Sequence, residues 1–287
     1  FFYPLDFTFV CPTEIIAFDQ SFHGRTLFTV SVGGQPEYCQ GFGPTPTGIT
    51  HLPYNDTTAL ETAVSERTCA VVMEPLQGEG GVISADPAFV VQARELCDQH
   101  HALLVMDEVQ TGMGRLGSLY GYQQLGVIPD ILTTAKALGN GFPIAAMLTT
   151  TAIASAMGVG THGSTYGGNP LACAIAETVL DIVNDEQVLA QVRHKHRLMR
   201  EGLLRINAKY NFCSEIRGQG LLLGCALNAT YQGQAGVFLQ ACQDQQLLVL
   251  VAGPNVVRMT PSLLITDSQI NTGLARFEAA VTQVLQS

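Results

Sequence analysis

Only three lysines occur in the 287 residues, Lys136, Lys195 and Lys209, so any amine chemistry is confined to them. Lys136 stands in Thr-Thr-Ala-Lys-Ala-Leu-Gly-Asn-Gly-Phe-Pro, among small and apolar neighbours and glycines that let a ligand approach closely. Asp107 stands 29 positions earlier, after the apolar run Ala-Leu-Leu-Val-Met. That spacing is about one strand–helix–strand step. In a parallel sheet, ligands gather outside the carboxyl ends of the strands. A carboxylate and an amine would then share one sheet edge. Two readings fit equally from spacing alone. One is a plain desolvated ion pair. The other is a lysine that forms an imine with a pyridoxal cofactor while the acid keeps the pyridine nitrogen protonated. Lys195, in His-Lys-His-Arg, reads as a solvated lysine on a charged helix face, and Lys209 as a surface lysine near a helix end.

The elements that must position these groups alternate apolar runs with helical spacing, the pattern of an α/β fold with a mainly parallel sheet. Strands are expected at 69–74, 102–106, 130–134 and 144–149, and a helix at 87–100 with Pro87 in its first turn. Further helices are expected at 170–183, 186–208, 232–245 and 267–285, with strands at 220–228, 247–251 and 256–260. A domain change is placed near 186, where a long helix starts.

Composition narrows the class. Charged residues are 13% and hydrophobic residues 47%, which supports a sizeable core and argues against disorder or coiled coil. The net charge is 14 − 24 = −10, the wrong sign for a binder of nucleic acid or an anionic membrane. No apolar run reaches the roughly 18 residues of a membrane span. The eight cysteines are scattered without a C-x-x-C pair, as in reduced, mostly buried thiols of a cytoplasmic protein. No metal site is expected. The segment Gly112-Met113-Gly114-Arg115-Leu116-Gly117 matches G-x-G-x-x-G, but Asp107 and Glu108 before it would repel a pyrophosphate.

Five segments carry a specific resemblance. Ser21-Phe22-His23-Gly24-Arg25-Thr26, Glu74-Pro75-Leu76-Gln77-Gly78-Glu79-Gly80-Gly81, Met106-Asp107-Glu108-Val109-Gln110-Thr111-Gly112, Thr134-Ala135-Lys136-Ala137-Leu138-Gly139 and His162-Gly163-Ser164-Thr165-Tyr166-Gly167-Gly168-Asn169-Pro170 occur in the order and at the spacing of class III aminotransferases. The chain from about residue 15 to 287 resembles the acetylornithine and succinylornithine transaminases of arginine metabolism. The resemblance implies fold type I: an incomplete large domain at 15–185 and a smaller C-terminal α/β domain at 186–287. It also implies pyridoxal 5'-phosphate as cofactor, a small-molecule amino donor with 2-oxoglutarate as substrates, and a homodimer.

The same resemblance assigns roles. Lys136 would bond the cofactor and move the substrate proton, and Asp107 would pair with the pyridine nitrogen. Val109 and Phe22 would cover the two ring faces. Gln110 would bond the ring hydroxyl, and Thr165 would reach a phosphate in the neighbouring subunit. Arg25 would bind a substrate carboxylate. Arg258 would bind the carboxylate of 2-oxoglutarate or glutamate, with Glu79 as a gate that pairs with it or releases it.

Residues 1–14 instead resemble the active-site segment of a two-cysteine peroxiredoxin, with Pro4, Thr8 and Cys11 in that family's pattern. The chain thus reads as a chimera. Alternatives to transamination are an inactive, truncated fold or dimerisation partner, and thiol peroxidase chemistry at Cys11. The family's earlier phosphate-binding loop is expected to be missing, which predicts weak cofactor binding.

Overall fold

The computed structural model describes residues 13–161 and 163–286. Cys11 and most of the peroxiredoxin-like segment lie outside them. In chain order the strands are β1 (Glu14–Phe18), β2 (Ile49–Leu52), β3 (Thr68–Met73), β4 (Leu76–Gln77), β5 (Ile83–Ser84), β6 (Leu103–Asp107), β7 (Ile131–Thr134) and β8 (Ala146–Thr149). β9 (Cys213–Gln219), β10 (Leu222–Leu227), β11 (Leu250–Ala252) and β12 (Val256–Met259) follow. The helices are α1 (Leu27–Val32), α2 (Thr57–Ala63), α3 (Pro87–His100), α4 (Thr151–Ala154), α5 (Pro170–Val183), α6 (Glu186–Tyr210), α7 (Ala235–Asp244) and α8 (Asp267–Gln286).

The chain divides into two units. The first holds the described residues up to Pro75, then Ala85–Gly112 and Gly121–Asp181. The second holds Leu76–Ser84, Met113–Tyr120 and the described residues from Ile182 onward. The stretches 76–84 and 113–120, assigned to the large domain on sequence, thus pack within the second unit.

The first unit is built on a six-stranded sheet of order β2-β1-β3-β6-β7-β8, parallel except for the antiparallel β8. Because side chains alternate faces along a strand, the sheet has a core on each side. Ile16, Phe18, Val71, Met73, Leu104 and Met106 pack against Phe89, Val90, Ala93 and Cys97 of α3. Ile15, Ala17, Ala70, Val72, Val105 and Ile131 face the other way. Asp86 caps α3 by accepting from the Ala88 amide at 2.9 Å, Pro87 opens it, and His101 ends it in the left-handed region at φ 56°. The rings of Phe18, Tyr54 and Phe89 meet edge-on at 5.2 to 5.7 Å.

The second unit has its own four-stranded sheet, β11-β12-β10-β9, and it is antiparallel throughout. Helices α6, α7 and α8 cover one face, with Leu203, Phe238 and Phe277 fully in the core. On the other face the hairpin β4–β5 contributes Leu76 and Val82 to a cluster with Leu222, Ala226 and Val256. Residues 113–117 of the glycine motif serve this unit structurally. Arg115 is buried and donates to the carbonyls of Leu221 at 3.1 Å and Pro261 at 2.6 Å.

Lys195 corrects the sequence reading. It lies on the buried stripe Leu189, Val192, Lys195, Met199, Leu203 and Ile206 of α6, and its Nζ donates to the Leu263 carbonyl at 2.7 Å. The helical period already placed it there, three residues after Val192. The three polar neighbours in His-Lys-His-Arg masked it. Lys209 is at the surface as expected, paired with Glu278 at 2.8 Å.

Phe89 has no exposed surface and anchors α3 to the sheet. Phe89→Ala should cost about 3–5 kcal/mol, read as a lowered midpoint in urea unfolding. A loss under about 1 kcal/mol would contradict this packing.

Candidate active site

The parallel pairing of β6 with β7 sets Asp107 opposite Thr133, and Lys136 follows β7 two residues beyond its end. The carboxylate and the amine therefore sit at the carboxyl ends of adjacent strands. Asp107 is nearly buried and its ion-pair partner is His23: Nδ1 to Oδ2 is 2.8 Å, with the side chains 5% and 12% exposed. Its other oxygen accepts from the Thr133 hydroxyl and the Val109 amide, each at 3.1 Å.

Burial is the largest influence on both partners and works against both charges. For His23, the bond to Asp107 and the charges of Asp107 and Glu74 outweigh it, and the imidazole pKa rises above 6.5. For Asp107, the bond to His23, its charge, and the donations from Val109 and Thr133 outweigh it, and the pKa falls below 3.8. Asp107 is thus held as an anion. Glu108 beside it serves the scaffold. Buried, and raised above 4.5 chiefly by that burial, it accepts from the Thr111 hydroxyl at 2.5 Å and the Gly121 and Tyr122 amides at 2.9 and 2.7 Å.

Lys136 is exposed, in contrast to the desolvated lysine expected from its neighbours. Its backbone is unusual: φ is +46°, a left-handed conformation that costs a lysine on the order of 1 kcal/mol or more and marks functional positions. Gly139 closes the turn. A Cβ there would lie 1.9 Å from the Phe142 carbonyl oxygen, so only glycine fits.

Phe22 and Arg25 lie in the loop after β1. The buried Glu74 accepts from the Phe22 amide at 3.0 Å, and this bond, with the adjacent His23–Asp107 pair, fixes the loop. Val109 and Gln110, both half-buried, follow Asp107 directly. Thr165 is exposed in the turn Thr165–Gly168 before α5. In the second unit, Arg258 lies mid-strand in β12 and donates from Nη1 to Glu79 Oε1 at 2.9 Å, with side chains 8% and 29% exposed. The fold brings these two together across 179 positions of sequence. Sequence reasoning missed His23, Thr133 and Glu74. A signal existed for His23, which shares the segment of Phe22 and Arg25, and for Glu74, which shares the segment of Glu79; Thr133 lies in none of the five segments.

A class III aminotransferase family model matches residues 9–281. The chain belongs to that family. Acetylornithine aminotransferase of Shewanella oneidensis is 62% identical over 271 residues, which are 94% of this chain and 67% of that protein. The crystal structure of N-acetylornithine aminotransferase from Stenotrophomonas maltophilia superposes with a TM-score of 0.83 at 41% identity, over 96% of this chain and 67% of that one. Ornithine aminotransferase of Toxoplasma gondii, with PLP at partial occupancy in its active site, gives 0.90 at 32% identity over 96% and 65%. The chain spans about two thirds of the length of these relatives. The family match begins at residue 9, within the segment read on sequence as peroxiredoxin-like.

The side chains present suit pyridoxal phosphate. Asp107 offers a fixed anion for a pyridinium N–H, Lys136 an amine for an aldehyde, and Phe22 and Val109 apolar cover for a ring.

The pH dependence of the His23–Asp107 pair has a definite sign. The raised histidine contributes stability below pH 6.5, and loses it as pH climbs through the higher folded value. The lowered aspartate contributes above 3.8 and loses it as pH falls through the lower folded value. His23→Gln should therefore cost most between about pH 4 and 6.5, roughly 1–3 kcal/mol, with the gap narrowing at higher pH. Denaturation midpoints across that range check this; a gap that widens above pH 8 contradicts it.

Proposed function

We propose that the chain carries out pyridoxal-phosphate-dependent transamination of N-acetylornithine or N-succinylornithine with 2-oxoglutarate. The observation that carries this reading is the buried anion Asp107 at the end of β6, one strand from a left-handed lysine. When bound, the cofactor supplies a conjugated ring that takes up negative charge developing at the substrate carbon. Asp107 keeps a proton on the ring nitrogen, and His23 and Thr133 keep Asp107 ionised and aimed. Lys136 would hold the cofactor through its Nζ, and the same amine would carry the proton taken from the amine-bearing carbon of the substrate. Phe22 and Val109 cover the ring, and Gln110 bonds its hydroxyl. Arg25 takes one substrate carboxylate. Arg258 takes a carboxylate of 2-oxoglutarate, and Glu79 neutralises Arg258 when the amino donor lacks that group.

We also infer a homodimer in which Thr165 serves the partner's phosphate. Tyr166 and Leu171, flanking that turn, are 81% and 61% exposed. Burying such apolar side chains against a second copy would favour association.

Two experiments test the reading. Borohydride fixation of added pyridoxal phosphate, followed by peptide mapping, should place the label on Lys136 alone; a label mainly on Lys195 or Lys209 overturns the assignment. Light scattering should give a mass near 61 kDa, twice the 30.7 kDa of the chain, and Leu171→Asp should shift it toward the single-chain value. A mass of one chain at all concentrations would refute the dimer.

A further inference from the structure

The guanidinium of Arg25 lies over aromatic rings. Its Cζ lies 4.0 Å from the ring centroid of Tyr38 and 5.5 Å from that of Phe22. The two rings meet edge-on at 5.9 Å and 88°. Among the described residues Arg25 donates no hydrogen bond and pairs with no carboxylate. A guanidinium drawn to a ring face in this way still has its N–H donors to offer a ligand.

Tyr38 is itself anchored. It lies in the short turn Pro36–Cys39, which is bound back to the loop of Phe22 and Arg25. Gly34 donates to the Ser21 hydroxyl at 3.0 Å and to the Ser21 carbonyl at 3.1 Å. The Gln35 side chain donates to the Gln20 and Ser21 carbonyls at 3.3 and 3.4 Å. Cys39 donates to the Val30 carbonyl at 3.2 Å. The ring is thus a half-buried platform on a tethered turn.

We propose that Tyr38 is a positioning residue for substrate recognition. Its ring face presents the Arg25 guanidinium to the carboxylate of the acylated amino donor. This rests on the carboxylate-binding role of Arg25. It predicts that the aromatic face matters and the hydroxyl does not. Tyr38→Phe and Tyr38→Trp keep a face; Tyr38→Leu removes it at similar burial.

The test measures binding of N-acetyl-L-norvaline by calorimetry to the chain with pyridoxal phosphate added. This probe carries the acylated amine and the carboxylate without the reacting amine. Tyr38→Leu should weaken binding about three- to tenfold, while the Phe and Trp variants stay within about twofold. In an Arg25→Gln background, itself weakened, Tyr38→Leu should add nothing. The chain contains no tryptophan, so the indole emission of the Tyr38→Trp variant comes from that position alone and should change when Arg25→Gln is added. Equal losses from Tyr38→Leu with and without Arg25 would show a general structural role and overturn the proposal. So would wild-type affinity in Tyr38→Leu. Undiminished binding by Arg25→Gln, or no binding by the unaltered chain, would instead overturn the carboxylate reading beneath it.

Discussion

The candidate site depends on one buried charge. Asp107 sits at the end of a central parallel strand, where burial disfavours its charge and pushes its pKa up. His23 reverses that outcome. Its cation, itself disfavoured by burial, is stabilised by the anion it stabilises. Removing either partner leaves the other as an uncompensated buried group, which is the costly case for ion pairs in protein interiors. The loop after β1 is therefore bound to the end of β6 by electrostatics as well as by packing. Phe22 and Arg25, the residues on each side of His23-Gly24, take their positions from that bond.

Much of this was legible in the sequence, because the relevant signals are local. Helix α3 shows its proline and its helical spacing within a single stretch. Strands β3 and β6 are mostly apolar runs, as befits strands buried on both faces. Asp107 and Lys136 then follow from strand ends and spacing. The edge strands β2 and β9 did not show, since Ile-Thr-His-Leu and Cys-Ser-Glu-Ile-Arg-Gly-Gln mix polar and apolar residues without a clear period. The antiparallel order of the small sheet was equally hidden, because pairing is set by tertiary packing. Partnerships such as His23 with Asp107, or Tyr38 with Arg25, join positions that no local pattern links.

The second unit illustrates the same point with cations. Arg115 and Lys195 both spend their donors on backbone carbonyls of the segment after β12, at Pro261 and Leu263. Read by motif, one belonged to a glycine-rich loop and the other to a charged helix face. Both instead fasten the chain that leaves the strand of Arg258. That strand holds its arginine against Glu79 with little exposure.

The central claim is that Asp107 and His23 hold each other charged. NMR titration of the imidazole carbons, with His23 assigned by comparison with His23→Gln, measures it directly. The His23 pKa should lie above 6.5 in the unaltered chain and fall in Asp107→Asn, where burial acts with less to oppose it. The same pKa in both proteins, or a value below 6.5 in the unaltered chain, would contradict the account.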